Sequence, residues 1–180
     1  KNMVKKILVI SATLRKSGNS DALARAFAEG AKAAGNEVEF ISLRGKTINF
    51  CVGCLSCQNT QKCVIKDDAP AIVEKMHDSD VIAFATPVYY YEMSGQMKTL
   101  LDRANPLFPS DYKFRDIYLL ASAAEDDDAA VDGTINGLGG WIACFEKCSL
   151  KGVVRGVGAT GIGDISEEKL AEAREMGRKA

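Results

Sequence analysis

The sequence predicts an α/β fold, a three-layer sandwich in which a parallel sheet lies between two layers of helices. Two observations carry this expectation. Apolar runs rich in β-branched residues recur at 3–10, 37–43, 80–90, 114–123 and 150–159, and most of the segments between them space their apolar residues as helices do. Strands alternating with helices in this way build a parallel sheet covered on both faces. Composition agrees. Of 180 residues, 47% are hydrophobic and 26% charged, which argues against disorder and suits a single domain spanning 1–180.

Each element has its own warrant. "MVKKILVI" is a strand that leads into the polar stretch "SATLRKSGNS". "DALARAFAEGAKAAG" places Leu23, Ala26, Phe27, Gly30, Ala31 and Ala34 at helical spacing, with Gly35 where a helix ends. "EVEFISL" alternates, as a strand with a more exposed face does. After a cysteine-rich loop, "DDAPAIVEKMHDSD" is a short helix with Asp67 and Asp68 as cap candidates and Pro70 in its first turn. "DVIAFATPVYY" is a buried strand expected to stop at Pro87.

"MSGQMKTLLDRA" is a helix capped by Ser94, with Met97, Leu100 and Leu101 at helical spacing. "FRDIYLLASA" is a further buried strand, "AAVDGTINGLGGWIACFEKC" a glycine-rich helix and "LKGVVRGVGA" the last strand. "SEEKLAEAREMGRKA" closes as a helix with Ser166 at its cap and Glu167 and Glu168 facing the positive end of the dipole. At this size, five parallel strands joined by right-handed crossovers predict the flavodoxin-like order 2-1-3-4-5. Ligands then bind beyond the carboxyl ends of the strands, at the loops after residues 10, 43, 86, 123 and 158.

The first of these loops offers Ser11, Thr13, Ser17 and Ser20 hydroxyls, the Asn19 amide and the Arg15 guanidinium, and it ends at a helix N-terminus. Unpaired amides and the helix dipole there favour a phosphate, and Gly18 allows close backbone approach. The alternative is a polar loop that merely caps the helix. No G-x-x-x-x-G-K-[ST] is present, which excludes a P-loop. "GVGATG" at 156–161 imitates a dinucleotide fingerprint, but the chain after it supplies no second strand, so it is read as a turn with Gly161 and Gly163 near the ligand.

Thr86, Pro87, Val88, Tyr89 and Tyr90 follow the third strand and can border a flat heteroaromatic ring, while Tyr89 to Tyr91 also suit a subunit interface. The small residues Ser122 and Ala123 leave room for a ring edge. Cys51, Cys54, Cys57 and Cys63 have the spacing C-x2-C-x2-C-x5-C, which suits the corners of a [4Fe–4S] cube better than a zinc site. Free or redox-active thiols are the alternative. His77 reads as a surface residue, Cys144 and Cys148 as buried apolar side chains on one helix, and Trp141 as a core or interface anchor. No side-chain acid, base or nucleophile stands out as catalytic.

A net charge of −1 gives no bulk attraction to nucleic acid or acidic membrane, and no apolar run reaches the roughly 18 residues of a membrane span. "KNMVKKILVI" lacks a small-residue cleavage site and reads as a strand, so the expected compartment is cytoplasmic, where thiols stay reduced.

Together "ATLRKSGNS", "TPVYYYEMSGQMKTLLDR" and "CVGCLSCQNTQKCVIKDD" resemble the NADPH-dependent FMN reductase and iron–sulfur flavoprotein family of the flavodoxin-like superfamily. Thr13, Arg15, Gly18, Asn19 and Ser20 match the family's first loop, while Ala12 and Leu14 stand where it has Gly and Pro. Thr86 to Tyr90 match the loop that borders the isoalloxazine, and the four cysteines match the iron–sulfur flavoproteins position for position. The resemblance implies non-covalent FMN, NAD(P)H as electron donor, a small-molecule or protein acceptor, and a homodimer or homotetramer. A [4Fe–4S] cluster and an electron-carrier role form the alternative.

Overall fold

The computed structural model describes residues 3–180. The strands are β1 (Lys6–Ser11), β2 (Glu37–Ser42), β3 (Val81–Tyr89), β4 (Glu92–Met93), β5 (Asp116–Ser122) and β6 (Ser149–Gly156). The helices are α1 (Asn19–Ala33), α2 (Ser56–Thr60), α3 (Ala69–Asp78), α4 (Gly95–Arg103), α5 (Asp132–Ala143) and α6 (Glu167–Lys179). Five strands run parallel in the order β2-β1-β3-β5-β6, the order the sequence predicts. The sixth, β4, was not expected. It folds back antiparallel on the end of β3, pairing Val88 with Met93 and Tyr89 with Glu92.

Pro87 does not stop β3. Its register partner is Ser122 on β5, and the strand continues to Tyr89. Alternate residues of a strand turn their N–H groups to the same side. Ala85 faces β1, where its carbonyl accepts from Ala12 N–H at 2.8 Å. Pro87, two residues on, faces the side on which β1 has already ended at Ser11. Its missing N–H therefore costs no ladder bond.

The expected glycine-rich helix is also shorter than the sequence suggests. A 3₁₀ turn at Asp128–Val131 leads into α5, which ends at Ala143. Cys144 is exposed and Cys148 half-buried in the following turn, so the two do not share a buried helical face. Burial pushes the Cys148 thiol up to about 11, which disfavours the nucleophilic thiolate.

Strand alternation sends residues to opposite faces. Leu8, Ile10, Ile82, Phe84 and Leu119 pack with Met76, Met97, Leu100 and Leu138 of α3, α4 and α5. Ile7, Val9, Ala83 and Leu120 pack with Leu23, Phe27 and Ala173 of α1 and α6. Each large side chain buried in this way contributes about 1.5–3 kcal/mol. Trp141 is half-buried and joins Phe84, Phe114 and Phe145, with ring centroids 4.5 Å from Phe145.

The capping rules hold where they are local. Ser94 accepts from Met97 N–H at 3.4 Å and Ser166 from Lys169 N–H at 3.2 Å. Gly35 follows the α1 cap in the left-handed region at φ +90°.

Helices α1 and α6 touch backbone to backbone. A Cβ on Gly30 would overlap the Arg174 carbonyl, and one on Gly177 would overlap the Phe27 carbonyl. Gly139, on α5, has no neighbour within 4 Å of the same position. In urea denaturation, Gly30→Ala and Gly177→Ala should each lose about 1–3 kcal/mol. Gly139→Ala should gain up to about 1 kcal/mol from helix propensity alone.

Candidate functional site

The loop after β1 enters α1 without a side-chain cap. Gly18 holds the cap position, leaving first-turn N–H groups facing out of the helix. The loop is wound tightly: Ser17 is left-handed at φ +55°, Arg15 N–H donates to Thr13 Oγ1 at 3.2 Å, and Gly18 N–H donates to Arg15 O at 3.2 Å. A Cβ on Gly18 would press on Thr13 Oγ1 at 3.0 Å, so glycine is the residue that fits. Ser20 Oγ is buried with no partner, and so is Asn19 Oδ1. These are the two orphaned polar atoms of the α1 N-terminus. A donor hydroxyl beside free amides is what an anion requires.

Two features condition that anion site. Asp21 stands in the first turn, where its charge would repel a phosphate. It is buried, accepts from Ser11 Oγ at 2.8 Å and pairs with Arg25 Nε at 2.8 Å, which offsets the charge. Ser11 is thus placed behind the loop, with its hydroxyl already engaged. The turn after β6 closes over the loop: Arg15 Nη1 donates to Thr160 O and Asn19 Nδ2 to Gly161 O, each at 2.8 Å. Asp164 braces that turn by accepting from the Thr160 and Gly161 N–H groups. The sequence signal for this wall was the glycine-rich "GVGATGIGD".

The second wall is the end of β3. Thr86 is fully buried, and its Oγ1 accepts from Ser94 N–H at 3.0 Å, so it serves the α4 cap and not an open surface. Pro87 and Val88 are half-buried, while Tyr89, Tyr90 and Tyr91 are exposed. Tyr90 and Tyr91 form a two-residue hairpin with both φ values positive, +50° and +63°. Non-glycine residues there cost about 1–3 kcal/mol each, strain that collects at functional sites.

Helix α5 holds the hairpin in place. Gly133 leaves room for the Tyr91 carbonyl, Gly137 lies against the Glu92 carboxylate, and Tyr91 Oη donates to Glu125 Oε1 at 3.1 Å. Ser122 and Ala123, both buried, end β5 at the same edge. Gln96 Nε2 donates to Ala12 O at 2.9 Å and ties the start of α4 to the first loop.

The four-cysteine loop follows β2. Its neck is closed by Asp68 N–H to Thr47 O at 3.0 Å and Thr47 N–H to Asp68 Oδ2 at 2.6 Å. Gly53, Leu55 and Gln61 are left-handed, and α2 is a single turn between the last two. Cys51, Cys54, Cys57 and Cys63 all line one cleft with Arg103 and Asn105. Gly53 N–H donates to Cys51 Sγ at 3.4 Å and Asn105 Nδ2 to Cys57 Sγ at 3.2 Å. Hydrogen bonds from the Ser56 backbone and side chain lower the Cys54 thiol.

Among the described residues, no three His, Cys, Asp or Glu side chains come together to hold one metal ion. A [4Fe–4S] cube takes one thiolate per iron at separate corners, so its ligands need not converge on one point. A cavity of about 550 Å³ lies beside the loop, lined by Cys63, Arg103, His77 and Leu107, away from the anion donors of α1. His77 is a structural surface residue. Its ring nitrogens meet Asp78 at 2.8 Å and Asp111 at 2.9 Å. The Asp78 hydrogen bond raises it, burial opposes this, and Asp111 adds to the rise.

An ion pair the sequence did not reveal lies under the loop. Asp67, expected as a cap, is buried against Arg103, at 2.7 and 3.0 Å. It also accepts from Asn49 N–H at 2.8 Å and Ala69 N–H at 3.0 Å.

The parallel order, the uncapped helix at the switch point and the aromatic hairpin define a flavodoxin-like α/β protein. Residues 5–130 match the family model of NADPH-dependent FMN reductases, and the chain belongs to that family. An iron-sulfur flavoprotein of Methanocaldococcus jannaschii is 41% identical over 102 residues, 57% of this chain and 53% of that protein. A Bacillus subtilis protein named as an NAD(P)H-dependent FMN-containing oxidoreductase is 34% identical over 113 residues, 60% of this chain and 59% of that one. The chain thus spans about half the length of the curated relatives it matches. In fold it resembles the NAD(P)H:quinone oxidoreductase of Methanothermobacter marburgensis, with TM-score 0.78 at 18% identity over 98% of this chain and 97% of that one.

Burial alone would raise the Asp67 carboxyl, but hydrogen bonds from Arg103, Asn49 and Ala69 outweigh it and hold it well below the usual carboxylate range. A folded value below the unfolded one of about 3.9 means stability that is complete above about pH 5 and lost as pH falls. Urea denaturation between pH 7 and pH 3 should show that loss. Asp67→Asn should be less stable at pH 7 and show a shallower decline.

Proposed function

We propose that this protein binds FMN at the carboxyl edge of its sheet and uses it to pass electrons from NAD(P)H to an acceptor. The observation that carries the reading is the Ser20 hydroxyl, buried and unpartnered at the uncapped start of α1. Bound FMN would supply the chemistry, accepting hydride and releasing electrons. The chain's part is binding and orientation. Ser20, the first-turn amides and Arg15 hold the phosphate. Asn19 Oδ1 is free to accept from a hydroxyl. Thr13 and Gly18 shape the loop around them. Pro87, Val88, Tyr89 and Tyr90 border the ring and keep water from it, with Ser122 and Ala123 leaving space at its edge. No side chain is assigned as acid or base. The exposed tyrosines suit an interface in a homodimer or homotetramer, which would cover the ring further.

Ser20→Ala should weaken FMN about fivefold, the loss of one hydrogen bond of about 1 kcal/mol. Arg15→Ala should weaken it about tenfold or more, through a charge-assisted contact of about 1.5–3 kcal/mol. Riboflavin, which lacks the phosphate, should be affected much less by either. Equal losses for both ligands in a fluorescence titration would remove these residues from the phosphate site.

A second reading is favoured by the single cleft that all four cysteines share and by the N–H donors aimed at their sulfurs. It makes the protein an electron carrier, with a [4Fe–4S] cluster held by Cys51, Cys54, Cys57 and Cys63. Anaerobic reconstitution should give about four irons with acid-labile sulfide per chain, lost in Cys57→Ser. Steady NADPH oxidation by the FMN-loaded protein supports the first reading. Reduction by ferredoxin but not by NADPH supports the second.

A further inference from the structure

The cysteine loop is fastened by one side chain. Arg103 ends α4, and its side chain has no solvent exposure. Nη1 donates to Asn49 O at 2.8 Å and to Asp67 Oδ2 at 2.7 Å. Nη2 donates to Ile65 O at 3.3 Å and to Asp67 Oδ1 at 3.0 Å. Asn49 stands two residues before Cys51, and Ile65 two residues after Cys63. One planar fork therefore joins both ends of the segment that carries all four thiols, with Asp67 fixing its orientation.

The fifth donor, Nε, is buried and has no partner. Arg103 lines the cleft the four cysteines share. Stability alone does not account for this arrangement. A buried ion pair is often replaceable by apolar side chains without loss, and an unpaired buried N–H is costly. A sulfur-rich centre of net negative charge in the cleft would use both the charge and the spare donor.

We propose that Arg103 is the positioning residue of the cysteine centre, its fork locking the two ends of the loop and its Nε–H held ready for a sulfur of that centre. The proposal rests on the reading of the loop as a thiol centre that takes a ligand. Lysine cannot replace the fork. It carries the charge as a point and cannot reach two carbonyls and a carboxylate in one plane. Hydrogen bonds to sulfur are among the factors that set the potential of an iron–sulfur centre.

The test uses the full chain, purified anaerobically, as wild type, Arg103→Lys and Asp67→Asn. The first readout is the rate at which iodoacetamide alkylates each cysteine in the reduced, iron-free protein, resolved by peptide mass. Cys144, exposed and outside the loop, is the internal reference. Cys57 and Cys63 should react about tenfold or more faster in both variants, the change expected for loss of a charge-assisted contact, with Cys144 and FMN affinity unchanged. Rates equal to wild type would overturn the clasp. If Arg103→Lys does not fold, Asp67→Asn decides, since it keeps the guanidinium and removes its anchor.

The second readout follows reconstitution with ferrous iron and sulfide. The Arg103→Lys centre should be reduced at a more negative potential than the wild-type centre. A merely structural arginine would leave that potential unmoved, which would overturn the assignment of Nε. Wild-type protein that takes up no iron would refute the cluster reading, and the alkylation comparison would still decide the clasp.

Discussion

The carbonyl oxygens of Arg174 and Phe27 lie where the side chains of Gly30 and Gly177 would begin. This backbone contact sets how closely α1 and α6 lie against each other on one face of the sheet. The consequence is felt at the far end of α1, where the uncapped first turn, the Ser20 hydroxyl and the Asn19 amide meet the turn after β6. An anion site made of backbone amides cannot adjust by rotamer. It is only as well placed as the helix that carries it, and here two glycines fix that helix.

Helix α4 is the second constraint, and it serves both candidate centres. Its start is tied to the first loop through Gln96 and to the end of β3 through the Ser94 cap. Its end meets the cysteine loop, through Arg103 directly and through Asn105 just beyond. Seven residues separate Gln96 from Arg103, a rise of about 10 Å along the axis. One rigid element thus sets the spacing between the loop after β1 and the thiols. Strain at the tyrosine hairpin is absorbed by α5 in a similar manner, through Gly133 and Gly137.

What the sequence revealed was what local chemistry decides. Ser94, Ser166 and Gly35 follow from capping rules, and the parallel order follows from apolar strands alternating with helices. Pro87 was misread because the rule for proline concerns a donor, and whether that donor is needed depends on where the neighbouring strand ends. The hairpin at Tyr90 and Tyr91 carries no Asn-Gly signal, so its left-handed turn was invisible. The helix expected to continue through Cys144 and Cys148 stops at Ala143. Asp67 and Arg103 lie 36 residues apart. No local pattern joins them: Asp67 had an ordinary reading as a helix cap, and Arg103 was only one residue of a helix. Among the candidate flavin residues, Ser11 and Thr86 lie at the carboxyl edge of the sheet, with their hydroxyls engaged inside the fold.

Thr47 and Asp68 bond each other at the neck of the cysteine loop, before the thiols begin. Beyond the neck the loop meets the frame through Arg103, which bonds the carbonyls of Asn49 and Ile65, through Asn105 on Cys57, and through Gln61 on Pro109 O. Changes between 51 and 63 that keep the neck and the carbonyls of Asn49 and Ile65 in place would leave β2 and α3 in register. The loop is in this sense a replaceable cartridge on a fixed chassis. Editing that single surface excursion leaves the rest of the domain with no need to be redesigned.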